Sequence, residues 1–386
     1  MKLFDTRSGR PRTLIAGHTV RLYVCGITPY DAAHLGHAAT YVAFDVLIRA
    51  LEHRGHVVRY VRNVTDVDDD ILRTAREREV HYLELAESET ARFDAGLRAL
   101  GCREPDAAPR ATETVPAIVT AVSGLVERGA GYVLDDGRVY FDIASAAQFG
   151  ALSRLDRDRM LAEFAEKGGD PEATGKRDAL DFLLWQPSRE GEPAWPSPWG
   201  RGRPGWHIEC SVMAMEHLGG VIDIHGGGND LVFPHHEAEI VQSEHLTGQG
   251  PFARFWLHTG MVGLDDVKMS KSLGNLVFAH DLLERFPGPA IRTYLLRNHY
   301  RATWSYAEDE MVASAARLGR WRAAAATGGR DAAAEQAVVA ALDDDLDTPG
   351  ALDVLDRMAD GGHGASLHAA AALLGIDLDD QPAPTR

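Results

Sequence analysis

A chain of 386 residues, 45% apolar and 25% charged, is long enough for two or three domains around a large core and has an ordinary globular composition. Its formal net charge of −17 excludes broad, non-specific binding to polyanions, which needs clustered Lys and Arg. Three scattered cysteines, Cys25, Cys102 and Cys210, exclude a disulfide framework and leave metal binding, catalysis or plain burial.

No apolar run is long enough to span a bilayer, and MKLFDTRSGRPR at the start lacks the apolar stretch of a signal peptide. No membrane association is expected, and the expected location is the cytoplasm. TVRLYVCGI (19–27) alternates and is rich in β-branched residues, which predicts a buried strand. After the loop TPYDAAHLG, a helix is predicted from 37 to 53, with Tyr41, Phe44, Ile48 and Leu51 on one face. HVVRYVRNV (56–64) is the next strand, so the order reads as a βαβ unit with a parallel sheet. Residues 70–130 read as mainly helical, and GYVLDDGRVYFDI (131–143) as a hairpin turning at Asp135, Asp136 and Gly137. From there to 204 the chain is rich in Gly, Pro and charge and reads as an inserted, loop-rich segment. Strands return at 220–226 and 255–263, and beyond Pro287 the pattern is helical. The expectation is an α/β fold. A Rossmann-like parallel sheet occupies 1–285, with the insertion at about 110–204, and a C-terminal helical bundle occupies 286–386.

His34-Leu35-Gly36-His37 falls at a strand-to-helix junction. Two imidazoles can reach phosphates there, Gly36 admits backbone, and the helix N-terminus favours anions. Alone the tetrad is weak, since four residues match often by chance. Late in the chain comes KMSKS (268–272), whose Lys268 and Lys271 flank Met-Ser in a stretch bounded by glycines. Such a cationic loop can close over a triphosphate and stabilise charge on departing pyrophosphate; the bland alternative is a solvated surface loop.

The two motifs in this order resemble the signature of class I aminoacyl-tRNA synthetases, which activate an amino acid as its adenylate on a Rossmann-like sheet. YVCG, NVTDVDD (63–69), GWHIECS (205–211), DIHGGGNDLVFPHHEAE (223–239) and DDDLDTPGALDVL (343–355) resemble the cysteinyl branch, from about residue 19 to 358. Cys25, Cys210 and His235 then offer zinc two thiolates and an imidazole, with Glu239 a possible fourth ligand on the same face if 235–239 is helical. Such an ion would take a substrate thiolate directly and so select cysteine over serine or valine. For each cysteine the bland reading is a small buried hydrophobe, and for Cys102 burial is preferred. The resemblance makes Trp206 a wall of the amino-acid pocket. It sets Gly226–Gly228 against adenosine, with Asp230 nearby, and places the acidic run 66–70 near the amino acid; a solvated turn is the alternative for that run.

Within the family, the first motif CGITPYDAAHLGHAATYVAFD (25–45), EKGGDP (166–171), GRGRPGWHIEC and NHYRATW resemble a shortened branch, the cysteine ligases of mycothiol biosynthesis. Only 386 − 272 = 114 residues follow Ser272, too few for a long anticodon-reading region, so tRNA is not expected as a partner. The resemblance implies adenylate contacts at Cys25, Gly26, Ile27, Thr28, Thr40, Asn63, Val64, Thr65, Trp206, Gly228, Asn229, Asp230 and Val262. It implies catalytic roles for His34, His37, Lys268 and Lys271, one Zn²⁺ per chain, and ATP with Mg²⁺. The implied substrates are L-cysteine and the amine of 1D-myo-inosityl 2-amino-2-deoxy-α-D-glucopyranoside, and a monomer is expected. At His225 and Glu239 the chain keeps the synthetase form rather than the ligase form.

Overall fold

The computed structural model describes residues 1–30, 34–265, 267–269, 274–326 and 328–379. A short antiparallel hairpin, β1 (Lys2–Asp5) and β2 (Arg10–Thr13), comes first. β3 (Thr19–Ile27), α1 (Leu35–His53) and β4 (Val57–Val64) form the βαβ unit, with β3 and β4 parallel. Helix α1 starts two residues earlier than its apolar spacing implies. His34 caps it, Nδ1 accepting the Gly36 amide at 3.1 Å.

Helices α2 (Asp69–Glu77), α3 (Tyr82–Ala99) and α4 (Ala111–Glu127) follow. β5 (Gly131–Val133) and β6 (Val139–Phe141) make the anticipated hairpin. Besides long loops, the insertion carries α5 (Arg157–Glu166), β7 (Phe182–Pro187) and β8 (Gly202–Pro204). These strands extend the hairpin into a four-stranded antiparallel sheet, β5-β6-β7-β8. Its apolar face, including Phe141 stacked on Phe182 at 5.0 Å, packs with α4 and α6 (Trp206–Leu218) in a core of its own.

The chain then returns to the parallel sheet with β9 (Ile222–Gly228), α7 (Glu237–Thr247) and β10 (Ala253–Thr259). The sheet order β10-β9-β3-β4 is parallel throughout, in register Tyr23 opposite His225 and Val24 opposite Gly226. Strand β3 sits between two later neighbours, so the order reverses at its carboxyl end, where open α/β sheets bind ligands.

β11 (Val262–Leu264), β12 (Val267–Lys268), α8 (Ala279–Leu283) and α9 (Gly288–Leu296) precede β13 (Trp304–Tyr306). β13 pairs parallel with β11, a strand too short to register against the helical pattern beyond Pro287. α10 (Glu308–Ala325), α11 (Ala332–Asp343), α12 (Thr348–Asp360) and α13 (Gly364–Leu373) complete the described chain. Leu22, Val24 and Leu47 share one apolar cluster with Ile291, Trp321, Leu355 and Met358. Arg292, fully buried on α9, pins this junction. It pairs with Asp45 on α1 and donates to the carbonyls of Leu374 (2.6 Å) and Leu100 (3.1 Å).

Candidate metal and nucleotide site

The four central strands end side by side, and the candidate residues gather there. At the end of β3, Gly26 donates its amide to Asn63 Oδ1 at 2.8 Å. A Cβ on Gly26 would lie 1.5 Å from the Asn63 carbonyl oxygen, so only glycine lets β3 and β4 approach this closely. Asn63 turns its other end to Cys210, donating to Sγ at 3.4 Å. Val64 pairs with Ile27 across the two strands, and Thr28 and Thr65 share a hydroxyl hydrogen bond of 2.8 Å.

Cys25, Cys210, His235 and Glu239 are all buried, and one ligand atom from each lies within 4.8 Å of the others. They arrive on β3, on α6, on the helical turn before α7, and on α7 itself. That turn (Val232–His236) breaks at Phe233 (φ −134°, ψ 137°) and resumes, so His235 and Glu239 face each other, Nε2 to Oε1 at 3.2 Å. His235 Nε2 makes no hydrogen bond despite that distance, while Glu239 Oε1 accepts from Cys25 Sγ at 3.5 Å. His207 meets His235 through the Nδ1 atoms at 2.9 Å, which leaves Nε2 to point at the cluster. Trp206, at the start of α6, lies over the His235 ring at 4.2 Å.

Sequence reasoning did not find His207 or His258, and gave His225 and His236 no ligand role. His225 Nε2 lies 3.0 Å from Glu239 Oε2, and His236 Nε2 lies 3.3 Å from Cys25 Sγ. His236 Nδ1 meets His258 Nε2 at 2.7 Å. Cys25, His225, His236 and Glu239 therefore form a second compact set that shares two members with the first. The available signal was the density of imidazoles in WHIEC, DIHGG, PHHE and LHTG.

Burial sets the protonation. Desolvation holds His207 at about 4 and His225 and His258 at about 3, and drives His235 and His236 well below the ordinary value. All are neutral near pH 7 and offer nitrogen lone pairs. Burial, with Cys210 and Glu239 alongside, pushes the Cys25 thiol up, and burial does the same to the Glu239 carboxyl. Thiols, neutral imidazoles and a carboxyl in one dry cluster fit a divalent cation, whose charge would draw off those protons.

The candidate nucleotide motifs start from the same end of β3 as Cys25. The rings of His34 and His37 sit 4.0 Å apart, and desolvation takes His37 to about 4. Thr40 Oγ1 contacts Thr259 Oγ1 at 2.7 Å, joining α1 to the end of β10. Val262, buried on β11, borders the space above Gly36. Gly228 ends β9, and Asn229 and Asp230 form the exposed turn after it. Lys268 closes β12, while Lys271 lies outside the described residues. The segment after it returns to the tetrad: Leu35 donates to the Val277 carbonyl at 2.8 Å, and His34 pairs with Phe278. In the acidic run, Asp66 is no solvated turn. It is fully buried and accepts the amide and hydroxyl of Thr112 at 2.9 and 2.7 Å, anchoring the start of α4. Half-buried Cys102 sits beside Arg292.

The architecture is that of the class I aminoacyl-tRNA synthetases. Methionyl-tRNA synthetase of Mycobacterium tuberculosis, in complex with methionyl-adenylate, superposes with a TM-score of 0.62 at 18% identity, covering 93% of this chain and 82% of the other. A putative arginyl-tRNA synthetase from Campylobacter jejuni gives 0.61 at 13%, covering 93% of each chain. The model of the class I (C) tRNA synthetase catalytic domain matches residues 12–316, and the chain belongs to that family.

Among its relatives are proteins named L-cysteine:1D-myo-inositol 2-amino-2-deoxy-alpha-D-glucopyranoside ligase. That of Nocardiopsis dassonvillei is 49% identical over 93% of this chain and 89% of its own. That of Streptosporangium roseum is 45% identical over 98% and 96%, and that of Parafrankia sp. 49% over 100% and 86%.

Proposed function

We propose that this chain is an ATP-dependent, AMP-forming cysteine ligase that joins L-cysteine to the amine of a glucosaminyl-inositol. The observation that carries the reading is the gathering of Cys25, Cys210, His235 and Glu239 at the carboxyl end of β3, the end from which the chain leads into the His34–His37 pair at the start of α1. The relatives' names and their near full-length identity support the choice of acceptor. Neither tRNA nor a membrane is a partner in this reading; among the described residues no helix is long and apolar enough to cross a bilayer.

Cys25, Cys210, His235 and Glu239 would hold zinc, which would supply a soft cationic site that favours a thiolate over a serine hydroxyl. Trp206 and His235 wall the amino-acid pocket, and Thr28 and Thr65 border it through their shared hydroxyl contact. The cysteine carboxylate attacks the α-phosphorus of Mg²⁺-bound ATP, and pyrophosphate leaves. His34 and His37, with Lys268 and Lys271, hold the phosphate oxygens as that charge develops. Gly228, Asn229 and Asp230 hold the adenosine end, with Thr40 and Val262 opposite. The acceptor amine then attacks the activated carbonyl, loses its proton, and expels AMP. Positioning dominates this second step because the acyl phosphate is already reactive.

Mass analysis of products from cysteine, ATP and the amino sugar tests this. The cysteinyl amide and AMP are expected, serine yields at least about a hundredfold less, and Glu239→Gln lowers zinc affinity at least about tenfold. Robust charging of tRNA with no amide formed overturns the acceptor. A second reading, a compact cysteinyl-tRNA synthetase, draws on the buried His225–Glu239 contact, at the two positions where the sequence keeps the synthetase form.

A further inference from the structure

EKGGDP (166–171) lies in the insertion, outside the catalytic motifs. Its local structure follows from sequence. Helix α5 ends at Glu166 with Lys167 as its C-cap, Gly168 takes a positive φ of 86°, and the Gly169 amide returns to the Phe164 carbonyl at 2.8 Å. The second glycine lies flat on the Phe164 ring, where a Cβ would come within 2.5 Å of it. The chain turns away there, and the Lys167 side chain runs on alone toward the parallel sheet.

Its ammonium donates to the carbonyl of Asp230 at 2.9 Å and of Phe233 at 2.6 Å, and pairs with Glu163 Oε2 at 3.0 Å. Those two carbonyls flank the segment between the nucleotide turn (Gly228, Asn229, Asp230) and the ligand His235. Phe233 is also where the backbone leaves its helical path before His235. One cation thus ties both ends of a loop whose first part carries the turn assigned above to adenosine and whose last part leads into His235.

We propose that Lys167 is a positioning residue for this loop, setting the nucleotide turn and His235 in register with each other from the inserted segment. The inference rests on the ligase reading for its substrates but not for its metal. Charge-assisted bonds to two carbonyls fix a backbone path that would otherwise have freedom at an exposed turn. Arginine, with several donors, can span the same two oxygens; alanine cannot.

The test uses the full chain with Lys167→Ala, Lys167→Arg and Glu163→Gln. Zinc affinity is measured by competition with a chromophoric chelator, and KM for ATP by cysteine-dependent pyrophosphate exchange. Loss of an outer-shell partner costs about 10–100-fold in metal affinity or activity, so Lys167→Ala is expected to weaken zinc and raise KM for ATP about tenfold or more. KM for ATP should rise by a larger factor than kcat falls. Lys167→Arg recovers both to within about threefold, and Glu163→Gln stays near wild type. The proposal is overturned if Lys167→Ala keeps both constants within twofold, if arginine fails to restore them, or if Glu163→Gln loses as much as Lys167→Ala. Should the wild type show no exchange, the ligase reading fails by itself, and the zinc comparison still decides the role of Lys167.

Discussion

Replacing Arg292 with methionine removes the cation at the junction of α1, α9 and the chain after α13 while keeping much of its volume. Arg292 is fully buried, and so is its partner Asp45, which also holds Arg49 at 2.7 Å and accepts the Arg103 amide at 2.7 Å. Breaking a buried pair costs about 3–5 kcal/mol, and the remaining partners of Asp45 put this case near 3. Each of the two deprived carbonyls, Leu100 and Leu374, adds about 1 kcal/mol or more. The expected loss is about 5 kcal/mol, a large part of the usual 5–15 kcal/mol. Urea titration at pH 7 measures it, and Arg292→Met with Asp45→Asn should lose less than the single variant, since no lone carboxylate remains.

The pH dependence has a definite sign. Burial raises the Asp45 carboxyl, but Arg292 and Arg49 outweigh it and hold the group below 3.8. A depressed carboxyl contributes stability that is complete above 3.8 and lost as pH falls through its folded value. The gap between wild type and variant should therefore be widest near neutral pH and narrow on acidification, because the carboxyl left without Arg292 protonates before the wild-type one does. A loss under about 2 kcal/mol, or a gap unchanged at pH 3, refutes the reasoning.

Two further outcomes are expected. Gly26→Ala forces β3 from β4 at Asn63, so zinc bound per chain and cysteine-dependent exchange should both fall at least about tenfold, as metal analysis and the exchange assay would show. Thr40→Val removes the hydroxyl contact with Thr259; stability should change by about 1 kcal/mol in urea titration, while KM for ATP rises more than KM for cysteine.

Much of the fold was legible because the strands of a parallel sheet carry strong local signals. TVRLYVCGI and HVVRYVRNV are buried and β-branched, and α1 shows its apolar face at helical spacing. β7 and β8 were not legible, since FLLWQP and GRP are short runs among glycines and prolines that become strands only by pairing, β7 with β6 and β8 with β7. The N-terminal hairpin was hidden for the same reason: Asp5, through Oδ1, accepts the Trp256 amide at 3.1 Å from a strand 251 residues away. The candidate ligands Cys25, Cys210 and His235 could be picked out from cysteine and histidine in context. The imidazoles behind them could not, because His207 and His258 reach the cluster through tertiary packing and carry no spacing of their own.

The four donors of the candidate metal site come from segments up to 214 residues apart, Cys25 to Glu239. No fragment of the chain presents them together, so an ion bound there would report on completed assembly of that half of the chain. A zinc level a thousandfold above Kd would add about 4 kcal/mol to the folded state. Growth conditions poor in that metal would then shrink the pool of intact protein as well as its turnover.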